Sequence, residues 1–204
     1  EVKFSEVVEK ALEYSEEERL VTFGIIPTSP EVGYGYIKSK EQLIDSNFSF
    51  SEIESFIEKP DKSKATKLLK DKRYLWNSGI FLFKASVILE ELNKFSPEII
   101  KSCRDALSEN LYDLDFQRIK KEPFKICKNI SIDIAVMEHT KKGVVLALDA
   151  GWNDIGSWNS IWNILDKDSK GNVFEGNIHT INTENCYVRS ENRLIAAIGL
   201  KDTL

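Results

Sequence analysis

Positive charge is nowhere in excess in this chain, and that shortage is its first constraint. Lys and Arg number 28 against 33 Asp and Glu, a formal net charge of -5. With no basic stripe the composition argues against a dedicated nucleic-acid binder, so any phosphate must be held by a few local lysines. Cysteine is scarce too: Cys103, Cys127 and Cys186 are odd in number and widely separated, without a CxxC pair. That pattern speaks against zinc or a redox couple and for buried free thiols in a reducing, cytoplasmic setting. No apolar run approaches the roughly 20 residues of a membrane span, and no signal-peptide pattern opens the sequence. The opening helix pattern, with Val7, Val8, Ala11 and Leu12 on one face, starts without a cap or an initiating Met. From this we expect a piece of a longer protein.

What is present is an ordinary globular balance, 42% hydrophobic and 30% charged over 204 residues, enough for one sizeable domain with or without an appendage. The chain is organised around Gly151-Trp-Asn-Asp-Ile-Gly-Ser-Trp158. The aliphatic run from Gly143 to Ala150 precedes it and reads as a strand that can hide both faces. Asp154 emerges just past that strand, flanked by Gly151 and Gly156, and Ser157 is placed to cap a helix marked by Trp158, Ile161, Trp162 and Leu165. Strand ends of this kind bind ligands in open α/β sheets. An Asp in such a turn also serves as a simple cap, so both uses stand at this level.

Leu20 to Ile26 reads as a strand closed by Pro27 and Pro30, and Gly33-Tyr-Gly-Tyr-Ile-Lys38 as a strand with Tyr34 and Tyr36 on one face and Gly33 and Gly35 leaving the other bare. A bare face lets a ligand lie against the backbone, or lets strands pack closely. A polar turn is expected at Asp45-Ser-Asn47. Ile53 to Lys59, stopped by Pro60, is a strand whose tip carries Glu58 and Lys59, a carboxylate for hydroxyls and an ammonium for phosphate, or merely solvated charges. Asp61 to Leu69 is a short helix. Asn77, Ser78 and Gly79 precede the apolar run Ile80 to Phe83 and suit either a hydroxyl-rich ligand or a turn. Ser86 to Leu92, the start at Ser96-Pro97-Glu98, and Ser131 to His139 read as helices, with Asp133 in a first turn and His139 at a C-terminal end. After the polar linker Asp166 to Gly171, short β runs over 171–204 read as the opening of a separate all-β unit.

Six of these stretches, in order, resemble the mannose-1-phosphate guanylyltransferases. Ile26-Pro-Thr-Ser-Pro-Glu-Val-Gly-Tyr-Gly-Tyr-Ile37 is similar to that family's Pro-Thr-x-Pro-Glu-Thr-Gly-Tyr-Gly-Tyr-Ile, with Val32 in place of the Thr. Phe56-Ile-Glu-Lys-Pro60, Trp76-Asn-Ser-Gly-Ile-Phe81, Ser131-Ile-Asp-Ile-Ala-Val-Met-Glu138, Gly151 to Trp158 and Asn185 to Leu200 follow. The resemblance implies a Rossmann-like α/β nucleotidyltransferase fold over 1–166, the sugar-phosphate-binding part, and the start of a C-terminal β domain over 171–204. It further implies transfer of GMP from GTP to mannose 1-phosphate, with Gly35 and Glu58 on the mannose ring, Lys59 on its phosphate, Asn77 lining the sugar pocket and Asp154 on Mg2+. Pairing into a homodimer through the β unit is implied as well. The family's glycine-rich nucleotide loop and its other metal ligand are not in the sequence, so the 204-residue piece alone is expected to be inactive. Three alternatives remain: a pyrophosphorylase for another sugar, a bifunctional protein that also isomerises fructose 6-phosphate to mannose 6-phosphate, and a non-catalytic regulatory subunit that binds sugar nucleotide. His139 and His179 alone cannot build the metal site such an isomerase needs.

Overall fold

The computed structural model describes residues 2–43, 49–109 and 111–204, so the turn expected at Asp45-Ser46-Asn47 lies outside the described residues. The chain forms two compact units, Glu1–Trp152 and Asn153–Leu204.

In the first unit the apolar stripe of helix α1 (Val2–Glu16) buries Val7 and Ala11 against strand β1 (Leu20–Ile25). β1 is one of five strands closed into a barrel in the order β1, β4 (Tyr74–Leu82), β2 (Tyr36–Ser39), β3 (Phe50–Ile57) and β7 (Gly143–Ala147). All five residues of β7 are buried, as its continuous aliphatic run requires. It lies parallel to β1, from Leu20 opposite Gly143 to Gly24 opposite Ala147, while every other barrel pairing is antiparallel. The architecture is α/β with a mixed sheet.

Helices close the barrel from outside. Val87 and Ile88 of α3 (Ala85–Phe95) join Ile37, Leu75 and Val145 in the largest core cluster, while Ala65 and Leu68 of α2 (Lys62–Leu68) cover Tyr36 and Trp76. Asp61 caps α2 by accepting from the Lys64 amide at 2.8 Å, and Pro97 opens α4 (Pro97–Ala106) at the position where its missing N–H costs nothing. The hairpin β5 (Leu111–Asp113) and β6 (Phe116–Arg118) and the short α5 (Lys121–Lys125) were not foreseen from the sequence.

Three expected elements differ in kind or length. The apolar run expected as a strand from Ile80 is the end of β4, which begins at Tyr74, so Asn77, Ser78 and Gly79 lie within the strand and not in a turn before it. The strand expected from Gly33 begins only at Tyr36, because the Tyr36 hydroxyl donates to the Glu31 carbonyl at 2.9 Å and folds the preceding residues into bends. The helix expected from Ser131 is a single π-helical turn, Asp133–Met137, in which the Glu138 amide reaches back to the Asp133 carbonyl. His139 packs against the Phe95 ring, with 5.7 Å between ring centres.

The second unit holds α6 (Trp158–Ile164), capped as expected by Ser157 accepting from the Ser160 amide at 3.1 Å. Four short strands follow, β8 (Val173–Glu175), β9 (Ile178–Ile181), β10 (Tyr187–Arg189) and β11 (Ile195–Ile198). β8 pairs with β10 and β9 with β11, both parallel, so one turn of chain stacks on the one before it. Buried Asn172 stitches the turns: its amide donates to the Thr183 carbonyl at 2.9 Å and its oxygen accepts from the Cys186 amide at 3.0 Å.

Candidate functional site

Gly35, Glu58 and Asn77 are brought together by the register of three strands. β2 and β3 pair with Tyr36 opposite Ile57, which sets Gly35 at the start of one beside Glu58 at the end of the other. The Asn77 amide of β4 donates to the Gly35 carbonyl at 2.8 Å. A Cβ placed on Gly35 would lie 2.9 Å from Glu58 Oε2 and 3.2 Å from the Phe56 ring, so a larger residue there would push the Glu58 carboxylate aside.

Lys59 follows Glu58 with its Nζ 3.6 Å from Glu58 Oε1, the ammonium mostly exposed and the carboxylate mostly covered. Its φ of 42° lies in the left-handed region, unusual for a lysine and held directly before Pro60. Such conformations cost about 1–3 kcal/mol and collect where a side chain must be aimed.

The Asn77 side chain links two residues that reasoning from sequence did not assign. Thr22 Oγ1 lies 3.1 Å from Asn77 Oδ1, and Asn77 Nδ2 donates to Asp133 Oδ1 at 3.0 Å. Burial pushes the Asp133 carboxyl above the usual carboxylate range, against the opposing pull of its own backbone amide, of the Asn77 and Ser131 hydrogen bonds and of the Lys59 charge. The signals were present. Thr22 is the single polar residue in the apolar run Leu20 to Ile26, and Asp133 sits inside a motif read only as a helix start.

Gly35, Glu58, Lys59, Asn77 and Asp133 therefore form one donor and acceptor cluster in the first unit: two carboxylates, one ammonium and one amide over open backbone. That set suits a phosphorylated polyol, because hydroxyls need both acceptors and donors while the phosphate needs a cation. Nearby, at the ends of β1 and β7, Ile25, Thr28, Trp76, Asp149 and Trp152 help line a cavity of about 280 Å³. Tyr34 meets both Trp76 and Trp152 edge-on, at 5.2 and 5.6 Å between ring centres. The Trp76 indole N–H is buried without an aligned partner among the described residues.

Asp154 belongs to the second unit. Its backbone carbonyl accepts from the Gly156 amide at 2.7 Å, and its carboxylate is exposed. Among the described residues that carboxylate has neither a hydrogen bond nor an ion pair, leaving both oxygens available to a hard cation.

Comparison with known proteins gives the chain a family. A mannose-1-phosphate guanylyltransferase of Salmonella montevideo is 45% identical over the whole chain, and one of Escherichia coli is 43% identical over 98% of it. The chain spans less than half of these relatives, 44% and 43% of their lengths. Among solved structures, one described as a mannose-1-phosphate geranyltransferase of Thermus thermophilus matches with a TM-score of 0.79 at 27% identity, over 98% of this chain and 56% of that one. A mannose-6-phosphate isomerase of Helicobacter pylori matches with a TM-score of 0.66 at 33% identity, over 74% of this chain and 58% of that one. The profile described as nucleotidyl transferase matches residues 1–171, and with that match over most of its length the chain belongs to the nucleotidyl transferase family.

Proposed function

We propose that this chain is the sugar-phosphate-binding part of a mannose-1-phosphate guanylyltransferase, which joins GMP from GTP to mannose 1-phosphate and releases pyrophosphate. The observation behind this reading is the cluster around Gly35, in a chain 45% and 43% identical to two enzymes of that name. In the reaction a phosphate oxygen of the sugar phosphate attacks the α-phosphorus of GTP, and the bond to the departing pyrophosphate breaks. The nucleophile is already an anion, so no general base is needed and catalysis is positioning plus charge neutralisation.

Lys59 neutralises the sugar phosphate. Glu58 and Asp133 accept from ring hydroxyls, Asn77 donates to one, and Gly35 lets the ring lie against the backbone. Asp154 holds Mg2+, for which an exposed hard oxygen is a fitting donor, since magnesium takes one or two carboxylates and fills its remaining positions with waters and phosphates. When bound, the ion screens the reacting phosphates. On this reading residues 1–166 make up the sugar-phosphate part and 171–204 begin a β domain through which two copies pair, in the cytoplasm. No helix of the described residues is long and apolar enough to cross a membrane.

The test is product formation by the full-length protein from a panel of nucleoside triphosphates and hexose 1-phosphates, with fructose 6-phosphate included to read isomerisation. GDP-mannose as the preferred product supports the reading; preference for another base or hexose overturns it. Asp154→Ala is expected to abolish magnesium-dependent turnover, and retained turnover would remove Asp154 from the metal.

A further inference from the structure

Thr22 is completely buried in β1, yet its hydroxyl stands at the back of the cluster. It gets there through an irregularity in the β1–β4 ladder: Thr22 pairs with Phe81 and Gly24 with Asn77, so two steps along β1 span four along β4. The excess bulges at Ser78-Gly79-Ile80, where Gly79 has a φ of +71°. A bulge re-aims side chains, and this one turns the Asn77 carboxamide onto Thr22 Oγ1 at 3.1 Å, with the Ile80 carbonyl 3.2 Å from the same oxygen.

The amide is thereby oriented from both ends. Its oxygen faces the Gly79 N–H at 3.3 Å and the Thr22 hydroxyl, whose single hydrogen is shared between Asn77 Oδ1 and the Ile80 carbonyl, and its nitrogen faces an acceptor, Asp133 Oδ1 at 3.0 Å. Reversing the amide would set oxygen against carboxylate and leave the Gly79 N–H facing another donor. Of the two amide hydrogens one goes to Asp133 and one remains, while the Asp133 carboxylate keeps acceptor capacity beyond Asn77. A free donor beside a free acceptor matches a hydroxyl, which gives and takes a hydrogen bond. A phosphate or carbonyl oxygen would answer only the donor.

We propose that Thr22 is a positioning residue for sugar recognition: its hydroxyl locks the Asn77 amide so that the remaining N–H and the Asp133 carboxylate together read one hydroxyl of the bound hexose. The inference rests on the mannose 1-phosphate reading above and adds to it the residue that fixes hydroxyl selectivity.

The test is steady-state kinetics of the full-length protein with mannose 1-phosphate and its four monodeoxy analogues. In the unsubstituted protein one analogue is penalised in kcat/KM by roughly 10- to 100-fold, the worth of a hydrogen bond to a charged group. Thr22→Val keeps the shape and removes the hydroxyl. It is expected to shrink that one penalty at least about fivefold and raise the KM for mannose 1-phosphate by a similar factor, with kcat within about twofold and the other analogues' ratios unchanged. Thr22→Ser restores the penalty. If the Val variant does not fold, Thr22→Ala compared with Thr22→Ser gives the same contrast. A penalty that survives loss of the hydroxyl, or an even loss of kcat over all analogues, overturns the role of Thr22 while leaving the guanylyltransferase reading intact. Absence of GDP-mannose formation by the unsubstituted protein overturns both.

Discussion

At the residue scale, the role proposed for Asp133 is set against stability. Because burial raises its pKa in the folded protein, ionising it costs folding free energy. The penalty is absent below the unfolded carboxyl pKa of about 3.9, grows as pH rises through the folded value, and is complete above it. Asp133→Asn removes the charge and keeps an acceptor. The variant should melt at a higher temperature than the parent at about pH 7, and the gain should fade as pH is lowered toward about 3.5. Its affinity for mannose 1-phosphate should fall, because a carboxylate is the stronger acceptor for a hydroxyl. Equal melting temperatures across that range would mean that Asp133 is solvated in the folded chain. Lys59 makes a comparable trade in its backbone, holding a left-handed φ of 42° before a proline to set an ammonium beside Glu58.

At the element scale, the start of β2, the end of β3, a bulge within β4 and one π turn assemble the site, and β1 lies at the centre of that frame. Gly24 is the position where β1 can pass between its neighbours: a Cβ there would lie 2.8 Å from Val145 Cγ2 and 2.9 Å from Leu75 Cβ. Gly24→Ala is therefore expected to cost about 1–3 kcal/mol in a denaturant titration, the usual range for forcing a methyl into a filled core. A cost below about 0.5 kcal/mol would show that the barrel gives way at this point. The same frame shows what the sequence could express. The strand end at Glu58 and Lys59 was legible because a proline stops the strand there, whereas the Asn-Ser-Gly expected to precede a strand lies inside β4, and the roles of Glu58, Lys59 and Asn77 came from resemblance alone. Thr22 was not legible, because its partner is set by a bulge whose position depends on pairing with a strand more than fifty residues away. Nor was the closed barrel, since local periodicity does not say which strands meet. The β5–β6 hairpin escaped for another reason: its strands are three residues each, too short for alternation to show.

At the scale of the whole molecule, a chain with a formal charge of -5 offers an anionic substrate no general attraction. On the proposed function, recognition of a sugar phosphate must then depend on a local cation, and within the cluster around Gly35 that cation is Lys59. In the second unit the polar seam at Asn172 is spent on holding one turn of chain to the next. The central claim is thus that Lys59 and its neighbours hold mannose 1-phosphate, and steady-state kinetics of Lys59→Ala in the full-length protein test it most directly. The account predicts a KM for mannose 1-phosphate raised roughly 10- to 100-fold, the worth of a charge-assisted hydrogen bond, with the KM for GTP within about twofold of the parent. An unchanged KM for mannose 1-phosphate would contradict it.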